Sequence, residues 1–133
     1  MYQATALFSV LFALMGFSYN VWRMEVTERN SNVRDSAFEL LLQLAELEQA
    51  VYAAHYDQDT ERGSPRDGWV KVGLISDLSN SCGQSVVAAA AELKEVWSVN
   101  WSSLPGERAA ADAVVVAIDN TRTQVQAQLR ALD

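Results

Sequence analysis

Chemistry in this chain would have to come from very few side chains. His55 is the single histidine and Cys82 the single cysteine, and with Ser79 they are the candidates for a nucleophile and its base. A catalytic arrangement needs a nucleophile, a base within hydrogen-bond reach and a group that orients the base. His55 is followed by Tyr56 and Asp57, but no motif gathers these residues with Cys82 or Ser79. A lone histidine closing a helix is already favoured by the helix dipole. One His and one Cys do not make a metal site unless the fold supplies carboxylates. The Asp57-x-Asp59-x-Glu61 run resembles the start of a calcium loop, yet glycine falls at the seventh position and Gly68 stands where a bidentate glutamate is required. The run reads as a solvated acidic turn. We expect no catalytic residues, no metal and no cofactor.

Cys82, between Ser81 and Gly83, would be a reactive thiol only if a helix N-terminus followed it. Trp97 and Trp101 lie one helical turn apart, with Trp69 an expected neighbour. Such a cluster is core, a pocket wall or an interface. The formal net charge of −7 argues against nucleic acid and against broad adhesion to anionic lipid.

The elements that carry these residues begin with an uncharged stretch. All 10 Lys/Arg and all 17 Asp/Glu lie at or beyond Arg23. Residues 4–22 as a helix would rise roughly 28 Å, the thickness of a bilayer's hydrocarbon core. A cleaved signal peptide would want a basic start and small residues at its end. Met1-Tyr2-Gln3 carries no Lys or Arg, and Ser18-Tyr19-Asn20-Val21-Trp22 is bulky. Tyr2 at one end, with Tyr19 and Trp22 at the other, suits the aromatic belts of a bilayer. The reading is a retained single-pass anchor over 1–22, in preference to a signal peptide or a buried helix.

Thr5, Ser9, Ala13, Gly16 and Asn20 share one face of that helix, and Leu7, Val10, Leu14, Phe17 and Val21 share the opposite one. Small and weakly polar residues permit close approach of another transmembrane helix. Ser9, Ala13, Gly16 and Asn20 are therefore the candidate partner-binding face. Arg23, Arg29 and Arg34 follow the anchor, so the positive-inside rule places the rest of the chain in the cytoplasm. Small size and simple topology suggest a bacterial plasma (inner) membrane.

Residues 23–35 read as a juxtamembrane connector, rich in poor helix formers, with Ser36 and Glu39 able to form a capping box. The chain either bends there or continues as one long helix. Residues 36–133 suffice for one core. Val33, Ala37, Leu40, Leu44, Leu47, Val51 and Ala54 follow spacings of 4 and 3, an a/d seam. Phe38, Leu41, Leu42, Ala45 and Tyr52 widen the apolar face, which suits packing on two neighbours.

A loop is expected over 57–68, then a short helix over 69–79 with Trp69, Val72, Ile75 and Leu78 on its apolar face. A third helix is striped by Val86, Ala90, Leu93, Trp97, Trp101 and Leu104. The last is striped by Ala111, Val114, Ile118, Thr121, Val125, Leu129 and Leu132, with Pro105 placed to open it. The fold class is thus all-α: one transmembrane helix followed by an antiparallel three- to four-helix bundle.

Layout alone does not assign a function. The leading expectation is a non-enzymatic membrane-anchored scaffold or accessory subunit. It would bind another protein, pair with itself or dock into a membrane assembly. The alternative is a membrane-tethered sensory or ligand-binding module with a pocket lined by Trp69, Trp97 and Trp101. An envelope-spanning or lysis-type coiled-coil subunit and an enzyme joining His55 to Cys82 rank behind these.

Overall fold

The computed structural model describes residues 2–133; Met1, the first residue of the expected anchor, lies outside them. Among the described residues the chain is all-helical, with no strand. Four helices are present: α1 (Tyr2–His55), α2 (Pro65–Ser79), α3 (Gln84–Asn100) and α4 (Arg108–Ala131), with a single 3₁₀ turn at Trp101–Ser103. The chain divides into two compact units, one ending at Asn32 and the other covering Val33–Asp133.

In the first unit the backbone is helical from residue 2 to residue 32, and every side chain from Gln3 to Glu25 is exposed. Its apolar window makes α1 one helix long and apolar enough to cross a membrane, and none of that window is buried. Tyr19 and Trp22 pack ring against ring near its end, with centroids 6.2 Å apart. The hydroxyl of Ser9 donates to the Thr5 carbonyl (3.0 Å) and that of Thr27 to the Arg23 carbonyl (2.9 Å). Both hydroxyls are thereby satisfied within their own helix.

No capping box forms at Ser36. The residue is helical, and the Glu39 carboxylate accepts from Gln43 Nε2 (3.0 Å) instead of turning back to the backbone. A run of poor helix formers lowers propensity by a few tenths of a kcal/mol per residue, too little to break a helix held by tertiary contacts on one side.

In the second unit the α1 seam is buried as its spacing requires: Ala37, Leu40, Leu44, Leu47, Val51 and Ala54 join Val72 and Ile75 of α2, Val86, Ala90, Leu93 and Trp97 of α3, and Val114, Ile118 and Val125 of α4 in one core. Helices α1 and α4 run in opposite senses. Arg34 pairs with Asp133 (2.9 Å) and Glu48 with Arg122 (2.6 Å), so α4 descends as α1 rises. Glu46 pairs with Lys71 (3.1 Å) near the middle of α2. Between α3 and α4, Thr121 Oγ1 donates to the Ala117 carbonyl (2.9 Å) and lies 3.3 Å from the Ala89 carbonyl. This hydroxyl is fully buried and satisfied.

Pro105 does not open the last helix, because it stays in the connection and α4 begins at Arg108, and Trp101 and Leu104 lie beyond the end of α3 at Asn100. Two further expectations need correction. First, α2 begins at Pro65, not at Trp69. Pro65 supplies the preset φ of a first helical residue, Asp67 complements the dipole, and Gly68 N–H donates to the Ser64 carbonyl (3.1 Å). Gly68 is in helix because a bare backbone is needed there to admit Trp97. Second, the wide apolar face of α1 is not covered on both sides. Leu41 packs at the core edge, but Phe38 and Leu42 are 60% and 52% exposed, and Tyr52 is also open.

Candidate functional site

The chemistry-bearing residues are dispersed. His55 Nδ1–H donates to the Leu104 carbonyl (2.8 Å), and its ring meets Tyr56 edge-on at 4.6 Å. It ties the end of α1 to the connection between α3 and α4. Cys82 lies in the turn between α2 and α3, at the other end of this unit, fully buried, with its Sγ 3.5 Å from the Leu78 carbonyl. Burial pushes the Cys82 thiol above its ordinary range. A helix does follow Cys82, but a buried protonated sulfur is a poor nucleophile. Ser79 is buried and donates to the Ser76 carbonyl (2.6 Å). His55 therefore faces neither of the two candidate nucleophiles.

The acidic loop is occupied with its own backbone. Asp59 Oδ1 accepts from the N–H groups of Glu61 and Arg62, both at 3.0 Å, which closes the turn. Among the described residues no group of three or more His, Cys, Asp or Glu side chains is arranged to hold a metal ion. Gln58, which sequence reasoning passed over, is a fastener: at φ 51° its Nε2 donates to the carbonyls of His55 (2.7 Å) and Pro105 (2.9 Å).

The three tryptophans do come together. Trp97 is 2% exposed, Trp69 stands edge-on to it at 6.3 Å, and Trp69 meets Trp101 at 6.5 Å. Edge-to-face geometry is the favoured aromatic contact. The Trp97 ring occupies the space that a side chain at position 68 would otherwise fill. Trp97 Nε1 is buried with no acceptor among the described residues. Trp69 is the partly open edge of the cluster, beside the exposed Val70 and Leu74.

Ser9, Ala13, Gly16 and Asn20 are exposed on α1, and a β-carbon at Gly16 would meet nothing within 4 Å. Of their polar groups, the Ser9 hydroxyl is already spent on Thr5.

The back of α1, whose Phe38, Leu42, Ala45 and Tyr52 the sequence shows as a widening of the apolar face, is a separate line that the bundle leaves open. Phe38, Leu42, Ala45, Gln49 and Tyr52, continued by Tyr56 in the turn just past α1, follow spacings of 4, 3, 4, 3 and 4, a second heptad line half a turn away from the buried one. Phe38, Leu42, Tyr52 and Tyr56 are exposed, as is Gln49. The signal was the repeat of the 4-3 spacing in a second register.

No protein-family model, no curated protein and no solved structure matches this chain.

Proposed function

We propose that this chain is a non-enzymatic, membrane-anchored helical scaffold or accessory subunit, single-pass in a plasma (inner) membrane, with residues 33–133 forming an antiparallel four-helix bundle that binds another protein. The observation that carries this reading is the contrast within α1. Its first unit buries none of a long apolar window, whereas its second unit closes a complete core. An apolar surface of that size left in water would aggregate, and a bilayer is the solvent that fits its length. Arg23, Arg29 and Arg34 after the window favour a cytoplasmic bundle. Ser9, Ala13, Gly16 and Asn20 are the face through which the anchor would meet a second transmembrane helix.

The test is crosslinking in native membranes, mild detergent extraction and mass spectrometry of what co-purifies. A stoichiometric membrane partner that is lost on Gly16→Leu or Ala13→Leu supports docking through the anchor. Release of the chain by an alkaline carbonate wash, which strips peripheral proteins, sinks the anchor reading.

One observation favours the second reading, a ligand-binding module: the buried indole N–H of Trp97 without an acceptor. A ligand accepting that hydrogen bond would raise the melting temperature of the full chain in a way that Trp97→Phe removes. An unchanged melting temperature across a library of small polar acceptors counts against it.

A further inference from the structure

We infer that the back of α1 takes a second copy of this chain, the two α1 segments running parallel with Phe38, Leu42, Ala45, Gln49, Tyr52 and Tyr56 meeting their own equivalents; this rests on the proposed membrane anchor, which holds both copies in one sense.

The spacing is the first argument. A 4-3-4-3-4 line places Leu42, Gln49 and Tyr56 at a positions and Phe38, Ala45 and Tyr52 at d positions, the pattern of knobs packing into a facing helix. In a parallel pair each layer is a residue against itself. Gln49 against Gln49 is a side-chain hydrogen bond in an otherwise apolar line, the device by which a single polar a residue selects register and two strands.

Charge is the second argument. A chain of net charge −7 should repel its copy, and the seam is flanked by Glu46 and Glu48. Both are neutralised within the protomer, Glu46 by Lys71 of α2 and Glu48 by Arg122 of α4. At the membrane-proximal end the same register puts Asp35 at an a position, where two copies would repel, with Arg34 at the adjacent g position and Glu39 at the following e position as the opposite-sign pair that a parallel arrangement brings together. Arg34 keeps part of its fork open, with its side chain 44% exposed beside Asp133.

Area is the third. With roughly 200 Å² per large side chain, Phe38, Leu42, Tyr52 and Tyr56 leave on the order of 400 Å² open per chain. Two copies then bury somewhat less than the ~1,000 Å² of a dimer that stands alone in solution. Pairing would therefore depend on confinement in one bilayer, where the effective concentration is high.

The experiment uses the full chain reconstituted in phosphatidylcholine vesicles, with the unsubstituted chain, whose one thiol is buried, as the blank. Gln49→Cys tests the seam, and Val116→Cys, on an exposed residue of α4, tests random collision. Under copper-phenanthroline oxidation Gln49→Cys should form a disulfide dimer about ten-fold faster than Val116→Cys, and adding Leu42→Asp should remove the advantage while helicity by circular dichroism is unchanged. Equal rates overturn the pairing. So does a photo-crosslinker at position 42 that captures a different protein in the source membranes and no second copy. Flotation separates the two readings: a chain that floats with vesicles but shows no Gln49 advantage keeps its anchor and loses the pairing, whereas a chain that does not float loses both.

Discussion

Gly68 and Trp97 occupy each other's space: the indole of Trp97 lies where the β-carbon of any other residue at position 68 would be. A helical glycine ordinarily costs about 1 kcal/mol relative to alanine. Here the cost admits the largest buried side chain of the unit, Trp97, against which Trp69 stands edge-on. Gly68→Ala should therefore destabilise despite improved helix propensity, by about 2–3 kcal/mol from overpacking. Chemical denaturation followed by tryptophan fluorescence measures it. Combining Gly68→Ala with Trp97→Leu should cost less than the sum of the two, because the clash and the ring leave together. Strict additivity would show that the contact is not what sets the cost.

Gly83 makes the tight turn into α3 with φ 102°, and Gln128 Oε1 stands 3.0 Å from where a β-carbon would lie. The backbone conformation strains any other residue, and the end of the Gln128 side chain would have to shift slightly. Gly83→Ala should lower stability by about 1–2 kcal/mol, read as a shift in urea midpoint at constant m-value. An unchanged midpoint would mean the turn relaxes to another conformation.

Arg122 bridges α1 and α4 by pairing with Glu48 (2.6 Å) and with Asp119 one turn away. The side chains of Arg122 and Glu48 are each only about a quarter exposed, at 27% and 22%. Charge-assisted bonds in such partly shielded settings contribute about 1.5–3 kcal/mol. Arg122→Met keeps the stem and removes the charge. It should lower stability by about 1–2 kcal/mol at low salt, and by less in 1 M sodium chloride. A salt-independent loss would assign the effect to packing instead.

Alkaline pH should weaken the fold through Cys82 and Tyr52. Burial raises the Cys82 thiol, while the hydrogen bond to Glu48 (3.0 Å), then burial, raises the Tyr52 phenol. In both cases the unfolded chain releases its proton at lower pH than the folded chain. The unfolded state then binds fewer protons, so stability falls as pH rises. The contribution is complete below the ordinary thiol and phenol ranges, about 8.5 and 10, and is lost as pH climbs through the raised values. Cys82 should dominate, since Tyr52 is 40% exposed. Urea midpoints measured from pH 7 to 11 should fall above the thiol range, and Cys82→Ala should flatten the first part of that fall. A flat wild-type profile would contradict the burial of the thiol.

The inner face of α1 could be read from spacing because a helix repeats every 3.6 residues and Leu40, Leu44, Leu47 and Val51 recur at that period. The same rule misjudged Phe38 and Leu42. Periodicity states which residues share a face, but not whether anything covers that face. The start of α2 was missed because Gly68 scores as a breaker when judged locally, whereas its need for Trp97 comes from a residue 29 positions away. Gln58 carried no signal at all, since its bonds to His55 and Pro105 exist only once α1 and the α3–α4 connection are side by side.

By itself the sequence determined the all-helical character of the chain, the uncharged span before Arg23 and most residues of each buried stripe. These follow from local quantities: charge placement, turn residues and a period set by backbone geometry. Tertiary structure alone decided that His55 and Cys82 are far apart, that the tryptophans meet edge to face, and that one heptad line of α1 is buried while the other is open. Those outcomes depend on which helices become neighbours, and contacts between residues distant in the chain leave no periodic trace in any one of them.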